Sequence, residues 1–226
     1  MNQIYAILLA GGVGSRMGEA TPKQFLEFKG KSLLEHSVER FKQWGLCKAL
    51  VVVSHKDWIL KTETLLSSVL DADDRIVEGG DTRHLSVLNG LGCLTLHDTD
   101  LVFIHDVARP NFSLDELYLL VEKTKIFGAA SLVSKATESL VYVKLHTNYT
   151  EEPLDRNEVF IVKTPQMVAG FMVKELSKEM LPQDLNLHPT DLCTWMGERR
   201  VGIILTDHKN VKITNPGDIT IAEQLS

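Results

Sequence analysis

Short runs of apolar residues alternate along the chain with longer segments whose apolar side chains recur every three or four positions. A continuous apolar run is typical of a strand buried on both faces, and the wider spacing is typical of a helix packed on one side. The runs predict strands at residues 5–10, 49–53, 75–77, 101–104, 128–133 and 202–205. The spaced segments predict helices at residues 32–44, 58–70, 85–96, 189–196 and 216–225. Strands that alternate with helices in this way predict an α/β fold, a mostly parallel sheet with helices on both faces.

One further helix is expected after Ser113. Glu116 follows three positions later, and this pair has the spacing of a capping box, in which each side chain satisfies a free backbone N–H of the other residue. The helix should therefore begin directly after Ser113.

The alternation fails between about residues 137 and 160. Two strands are predicted there, at 138–145 and 159–162, joined by a turn at 147–153 with no helix between them. The segment predicts a hairpin arm that protrudes from a single domain spanning residues 1–226. An isolated two-stranded hairpin is marginally stable in water, so the arm needs a surface, and a second copy is the simplest closed solution. The expected apolar contacts are Val141, Val143, Val159 and Ile161.

The 226-residue chain carries 24 Lys and Arg against 30 Asp and Glu, a formal net charge of −6. This balance argues against non-specific nucleic-acid binding, which depends on excess positive charge. No apolar run has the length of a membrane span, and the first run follows no basic segment, so we expect neither a membrane span nor a signal peptide. Cys47, Cys93 and Cys193 have the spacing of neither a disulfide framework nor a zinc site. These features predict a cytoplasmic protein.

A glycine-rich segment follows the first predicted strand. Gly11, Gly12 and Gly14 would let backbone N–H groups approach an anion closely. The segment lacks the Gly-Lys-Ser/Thr ending of a P-loop, and its next glycine comes one residue too late for a dinucleotide fingerprint. Arg16 and Lys23 add two cations that can neutralise a triphosphate and the charge of a phosphoryl-transfer transition state. We therefore predict a nucleotide-binding loop rather than a plain strand-to-helix turn.

A second polar group follows the strand predicted at residues 101–104. Ligands of open parallel sheets bind beyond the carboxyl ends of the strands, where His105, Asp106 and Arg109 would lie. Asp106 can hold Mg²⁺ on phosphates there, although a helix N-cap is about as compatible with the residue alone. Arg109 could hold a second phosphorylated substrate.

These motifs occur in a fixed order with others further along the chain. The order is Leu9-Ala10-Gly11-Gly12, Pro22-Lys23-Gln24-Phe25, Gly79-Gly80-Asp81-Thr82-Arg83 with Ser86, His105-Asp106, Arg156, Thr164-Pro165-Gln166, Thr190-Asp191 and Asn210-Val211-Lys212-Ile213-Thr214. Over nearly its whole length the chain resembles the 2-C-methyl-D-erythritol 4-phosphate cytidylyltransferases and their close relatives, the ribitol-5-phosphate cytidylyltransferases. The resemblance implies a Rossmann-like nucleotidyltransferase fold and a homodimer in which the arm of each subunit reaches into the other.

The resemblance also implies roles for individual residues. The residues implied to bind CTP are Ala10, Gly11, Gly12 and Gly14 in the first loop, and Gly80, Asp81 and Ser86 around cytosine and ribose. The residues implied to be catalytic are Arg16, Lys23, Arg156 and Lys212, with Arg16 and Lys23 stabilising the pentacoordinate α-phosphorus. Asp106 is implied to be the Mg²⁺-side carboxylate. The residues implied to lie near the acceptor or the metal-bound phosphates are Asp106, Arg109, Thr164 and Lys212. On the arm, Arg156 is implied to reach the acceptor phosphate of the partner subunit from the returning strand, and Ser139 takes the place of an arm threonine.

The implied chemistry needs no general base, because the acceptor phosphate oxygen is already anionic. It would attack the α-phosphorus of CTP in line and release pyrophosphate, while Lys, Arg and Mg²⁺ spread the developing charge. Two departures concern this site: Lys163 stands where the family usually has glutamine, and Lys209 stands where many members have an acid near the metal.

The acceptor is left open by the residues. Leu9-Ala10-Gly11-Gly12 is more like the ribitol-phosphate branch. The segment from Gly79 to Asn89, with its ending Ser86-Val87-Leu88-Asn89-Gly90-Leu91, leans toward the erythritol branch. We predict 2-C-methyl-D-erythritol 4-phosphate, an intermediate of isoprenoid precursor synthesis, because that enzyme is the commoner bacterial member. The alternative is a ribitol-5-phosphate cytidylyltransferase that makes CDP-ribitol for cell-surface polymers. A third hypothesis is an inactive nucleotide-binding relative, which would not produce pyrophosphate from CTP.

Overall fold

The computed structural model describes residues 2–12, 22–144, 146–179, 191–207 and 209–226. The strands are β1 (Ile4–Ala10), β2 (Glu27–Phe28), β3 (Lys31–Ser32), β4 (Ala49–Ser54), β5 (Arg75–Glu78), β6 (Leu101–Asp106), β7 (Ala129–Lys135), β8 (Leu140–Tyr142), β9 (Glu152–Leu154), β10 (Phe160–Ala169) and β11 (Gly202–Leu205). The helices are α1 (Leu33–Trp44), α2 (Ile59–Leu66), α3 (Arg83–Gly92), α4 (Leu114–Phe127), α5 (Gly170–Glu179), α6 (Leu192–Met196) and α7 (Gly217–Gln224). Short 3₁₀ turns cover Lys23–Phe25 and Lys56–Trp58.

Seven strands form one central sheet in the order β11-β7-β10-β6-β1-β4-β5. Neighbouring strands run parallel except β10, which is antiparallel to both β6 and β7. The prediction of a mostly parallel sheet is therefore confirmed. The two remaining strand pairs, β2 with β3 and β8 with β9, are small antiparallel hairpins outside this sheet.

Helices cover both faces of the sheet, as predicted. Alternate residues of β1 show why: Ala6 and Leu8 pack with α1, α2 and α4 on one face, while Tyr5 and Ile7 pack with α3, α5 and α6 on the other. Because both faces of the central strands are buried, those strands read as continuous apolar runs.

Local capping signals set two of the helix starts. Ser32 and Glu35 form a capping box at the start of α1, and Ser113 and Glu116 form the one predicted for α4. Both helices end at a glycine in the left-handed conformation, which a residue with a side chain rarely adopts. The helix predicted at residues 58–70 ends earlier, at Leu66, and that predicted at 85–96 begins and ends earlier, as α3.

The arm differs from its prediction. The strand that pairs with β8 is β9, with Leu140 opposite Leu154, so the returning strand begins within the last residues of the predicted turn. Residues 159–162 instead lead into β10, where Phe160 pairs with Lys135 of β7 in the main sheet. The returning strand was assigned wrongly because β9 is exposed throughout and has no alternation of apolar residues. The start of β10 does alternate between partly buried and exposed positions.

The apolar pattern predicted β10 only as far as residue 162, and it did not predict α5. A register shift lies in β10 between Val162 and Gln166, and the intervening Lys-Thr-Pro segment interrupts the apolar run. Proline has no backbone N–H to donate to a neighbouring strand, so in sheets it is found at edges and irregular positions. Pro165 lies in such an irregular part of β10.

Candidate active site

A cavity of about 440 Å³ opens at the carboxyl ends of β1, β4, β5 and β6. This is the edge at which open α/β sheets bind ligands. The segments that line it are residues 9–12 at the end of β1, 55–56 after β4, 78–83 at the end of β5 and 106–108 at the end of β6, together with Lys23, Gln24, Ser86 and Lys212. The fold therefore brings together Ala10, Gly11, Gly12, Lys23, Gly80, Asp81, Ser86, Asp106 and Lys212 from the predicted set.

The end of β1 passes close to the side chain of Lys23. A Cβ placed on Gly12 would lie 3.6 Å from Lys23 Cε, and one on Gly11 would lie 3.9 Å from Ser86 Oγ. The backbone at Gly11 and Gly12 is thus in reach of a ligand that also contacts Lys23. The predicted roles of Gly14 and Arg16 lie outside the described residues.

A second part of the cavity wall is built by two glycines and a serine. A Cβ on Gly79 would lie 2.9 Å from Ser86 Oγ, and one on Gly80 would lie 2.4 Å from Leu85 Cβ, so neither position has space for a side chain. Ser86 Oγ accepts a hydrogen bond from Gly80 N–H at 3.1 Å and lies 3.3 Å from the Gly80 carbonyl. The serine hydroxyl therefore holds this loop against α3, and the exposed Asp81 follows at its tip.

Asp106 lies between two cations. Arg83 Nε donates to Asp106 Oδ1 at 2.9 Å, and Lys212 Nζ donates to Asp106 Oδ2 at 2.6 Å. Burial alone would raise the pKa of this carboxyl, but the Arg83 and Lys212 charges outweigh it and hold the pKa well below its usual range. Asp106 is therefore a carboxylate at any physiological pH, and it fixes both cations beside the cavity.

Behind Asp106 lies a buried polar cluster. Thr164 Oγ1 accepts from Asp106 N–H at 3.0 Å and lies 3.2 Å from His105 Nδ1. His105 is completely buried between the rings of Phe41 and Phe112. Burial lowers the pKa of this histidine to about 3, so the ring is neutral.

Two further cations meet on one backbone carbonyl. Arg109 Nη1 donates to the Asn210 carbonyl at 3.3 Å, and Lys163 Nζ donates to the same oxygen at 3.1 Å. Asn210 Nδ2 in turn donates to the Thr164 carbonyl at 3.0 Å. This hydrogen bond ties the loop between β11 and α7, which contains Asn210, to β10. Arg109 is buried, and burial lowers the pKa of both cations.

The arm residues are not part of this cavity within one chain. Ser139 is exposed just before β8, and Arg156 is exposed in a turn after β9. The prediction that Arg156 lies on the returning strand is wrong, because that strand ends at Leu154. The predicted roles of Ser139 and Arg156 in a partner's site stay predictions.

Sequence reasoning assigned no role to Arg83, His55 or Lys56, which also line the cavity. Arg83 carried a signal, because it is the first residue of α3, where the positive end of the helix dipole disfavours a cation. A cation in that place needs an anionic partner, and Asp106 supplies it. His55 and Lys56 could have been found from their position directly after a buried parallel strand.

The Asp106 carboxylate beside the cavity fits a magnesium ion whose other ligands are mainly phosphate oxygens. No group of three or more His, Cys, Asp or Glu side chains could cage a metal within the part of the chain that is described. Mg²⁺ often uses one or two protein carboxylates and completes its shell with phosphate oxygens and waters. Asp106 offers such a carboxylate beside the cavity, whereas Lys209 lines a different cavity.

Comparison with known proteins agrees with this geometry. The family model of 2-C-methyl-D-erythritol 4-phosphate cytidylyltransferase (IspD) matches residues 4–225. A protein of that name from Leptospira interrogans is 42% identical over 226 residues, which cover 99% of this chain and 92% of the relative. One from Thermosipho africanus is 32% identical over 218 residues, with 96% and 95% covered.

Solved structures show the same fold. The crystal structure of 2-C-methyl-D-erythritol 4-phosphate cytidylyltransferase from Francisella tularensis superposes with a TM-score of 0.82 at 26% identity and covers both chains completely. The 4-diphosphocytidyl-2C-methyl-D-erythritol synthase from Anaerococcus prevotii gives a TM-score of 0.79 at 24% identity, with 99% and 97% covered. In the described ranges of this chain, no helix combines the length and apolarity that crossing a membrane would need. The nearly complete family match and the 42% identity show that this chain belongs to the 2-C-methyl-D-erythritol 4-phosphate cytidylyltransferase family.

Proposed function

We propose that this chain transfers CMP from CTP to 2-C-methyl-D-erythritol 4-phosphate in one catalytic domain. The products are pyrophosphate and 4-diphosphocytidyl-2-C-methyl-D-erythritol, an intermediate of isoprenoid precursor synthesis. The observation that carries the proposal is the cavity at the carboxyl ends of the strands, which is lined by Gly79, Gly80, Lys23 and the group of Asp106 with its two cations. Such a cavity suits two phosphorylated substrates whose negative charges must be brought together.

The reaction is an in-line displacement at phosphorus. An anionic oxygen of the acceptor phosphate attacks the α-phosphorus of CTP, the new O–P bond forms, and the bond to pyrophosphate breaks. Lys23 and Lys212 supply positive charge where negative charge develops, and Asp106 keeps Lys212 in position at 2.6 Å. No proton has to be removed from the attacking oxygen, which agrees with a neutral, buried His105 that takes no part in acid–base chemistry.

The cytosine and ribose of CTP bind along the Gly79–Gly80 wall in this proposal. The loop is rigid there, because Ser86 holds the Gly80 peptide and Gly79 N–H donates to the Ser54 carbonyl at 2.8 Å. Fixed backbone groups that pair with the edge of cytosine would be left unpaired by a purine. We therefore expect CTP to be strongly preferred over ATP.

A magnesium ion would be held by Asp106 together with substrate phosphates. When bound, it would neutralise phosphate charge and lower the cost of bringing the two anions together. Arg83 keeps the Asp106 carboxylate oriented toward the cavity from the other side.

We further propose that the active protein is a cytoplasmic homodimer joined through the arm. Three of its predicted contact residues are about half exposed in a single chain: Val141 at 51%, Val143 at 46% and Ile161 at 47%. Tyr142 is 50% exposed beside them. When a partner covers this apolar surface, Arg156 and Ser139 of one chain would come close to the cavity of the partner. This agrees with the fact that neither residue lines the cavity of its own chain.

The deciding experiment measures pyrophosphate release from CTP with Mg²⁺ and each candidate acceptor. Turnover with 2-C-methyl-D-erythritol 4-phosphate at an efficiency well above that with ribitol 5-phosphate is expected. The reverse preference would make the protein a ribitol-5-phosphate cytidylyltransferase. Binding of CTP without pyrophosphate release would make it an inactive relative, and equal turnover of ATP would contradict the cytosine pocket.

A further inference from the structure

Positive charge exceeds negative charge on the β10 side of Asp106. Arg83 and Lys212 already pair with the two oxygens of this carboxylate. Arg109 and Lys163 make no ion pair with any described residue, and they share the Asn210 carbonyl instead. A carbonyl supplies a dipole but no charge. Asp106 attracts Arg109 electrostatically but is already shared by Arg83 and Lys212, so among the described residues neither Arg109 nor Lys163 has a carboxylate of its own.

This arrangement is costly without a ligand. Arg109 is 8% exposed, and its Nε has no hydrogen-bond partner among the described residues. Burying a charge with neither a counter-ion nor a full set of hydrogen bonds is unfavourable, and two neighbouring cations also repel each other. An anion bound between them would relieve both effects.

The position of Lys163 separates it from the nucleotide wall. In the sheet, β10 lies next to β6 on one side, whereas the glycine wall and the end of β1 lie beyond β6 on the other side. The loop that carries Asn210 also carries Lys212, and Ile213 N–H anchors it to the Ala108 carbonyl at 2.8 Å. An anion at Lys163 and Arg109 would therefore lie across Asp106 from the nucleotide and next to Lys212.

We propose that Lys163 is a substrate-binding residue that, with Arg109, holds the phosphate group of the acceptor through its positive charge. The inference rests on the proposed function, which requires a second phosphate beside Lys212. Lys163 lies next to Thr164 in the irregular part of β10, where the register shift frees the strand from regular pairing. The competing role is structural, with Lys163 serving only as a hydrogen-bond donor to the Asn210 carbonyl.

Three variants separate charge from hydrogen bonding. Lys163→Gln keeps a donor for the Asn210 carbonyl but removes the charge, Lys163→Arg keeps both, and Lys163→Met removes both. Lys125→Gln is the matched control, since Lys125 is exposed on α4, where its ion pair is with Glu122 rather than with the groups around Asp106 and Asn210. It removes the same net charge from the protein far from the proposed subsite.

Steady-state kinetics with CTP and 2-C-methyl-D-erythritol 4-phosphate give the first test. Lys163→Gln should raise the KM for the acceptor by about tenfold to a hundredfold, the usual worth of a hydrogen bond to a charged group. The KM for CTP should stay within about twofold, and Lys163→Arg should recover most of the acceptor affinity. A normal acceptor KM in Lys163→Gln, or an equal rise of both KM values, would assign Lys163 the structural role. Lys163→Met serves as the second neutral variant if Lys163→Gln does not fold.

A second test needs no turnover. Inorganic phosphate should raise the Tm of the wild-type protein and of Lys125→Gln, because it binds the folded state, and the rise should largely vanish in Lys163→Gln. If the wild type releases no pyrophosphate with either acceptor yet shows this Lys163-dependent rise, the proposed function fails and the subsite stands. If the wild type is active but phosphate stabilises Lys163→Gln as much as the wild type, the subsite is refuted and the proposed function stands.

Discussion

His105 should make the protein sensitive to mild acid. Its ring is completely buried, with centroids 5.8 Å from Phe41 and 4.7 Å from Phe112, and burial lowers the pKa from 6.5 to about 3. Between these two values the unfolded chain binds a proton at this histidine and the folded protein does not. Stability must then fall as the pH falls, because protons bind preferentially to the unfolded state.

The size of the loss follows from the two pKa values. The unfolded state gains about 2 kcal/mol relative to the folded state between pH 7 and pH 5, and about 3 kcal/mol by pH 4. Asp106 adds a loss of the same sign, since its pKa is depressed, but that loss begins only near the ordinary carboxyl range of about pH 4. A comparison of pH 7 with pH 5 therefore isolates the histidine.

Urea unfolding followed by far-UV circular dichroism at both pH values measures this loss. The test variant is His105→Asn, which does not titrate and whose amide nitrogen can replace Nδ1 beside Thr164. The wild type should lose about 2 kcal/mol more of its unfolding free energy than the variant does. His97→Asn, the same replacement at an exposed position, should behave like the wild type. Equal losses in the wild type and His105→Asn would refute the reasoning, as would a ring that titrates near its ordinary pKa by NMR.

Three further predictions concern the site and its assembly. Lys23→Ala should lower kcat about a hundredfold with little change in the KM for CTP, because the charge of Lys23 acts mainly on the transition state. Near-normal turnover of this variant in steady-state assays would show that Lys23 is not catalytic. Gly80→Ala should raise the KM for CTP and lower the unfolding free energy by about 1–3 kcal/mol, because its Cβ would lie 2.4 Å from Leu85 Cβ. Gly92→Ala, which meets nothing within 4 Å, is the control, and equal effects of the two substitutions in denaturation and kinetics would contradict the packing argument. Mixing inactive Arg156→Ala with inactive Lys23→Ala should restore part of the activity, since one site of the mixed dimer has both residues intact; no recovery despite subunit exchange would refute a shared site.

Local features were readable from the sequence alone. The buried run that forms β1 and the capping residues Ser113 and Glu116 define their elements without help from the rest of the chain. Apolar periodicity and helix caps depend on neighbours within about one turn, so they appear in the order of the residues. The edge at which ligands bind followed from the same information, because parallel strands all end there.

The arm and the strand after it needed the tertiary structure. The exposed β9 has no apolar alternation, and β10 is interrupted by the segment that contains Lys163 and Pro165. Pairing with β6 and β7 extends the strand over residues 163–169, whose own pattern does not predict one. Their conformation was decided by non-local hydrogen bonds, which leave little trace in a single sequence.

The charges of the candidate site divide in the same way. Sequence motifs singled out Asp106 and Lys212, but only the fold showed that Arg83 shares the same carboxylate from 23 residues away and Lys212 from 106. It also brought Lys163 and Arg109 to one carbonyl, where the described residues offer neither of them a carboxylate of its own. The sequence determines which side chains can carry a charge. The burial of these side chains and the distances between them set the strength of each interaction. Both are fixed only when β6, β10 and the loop before α7 have packed together.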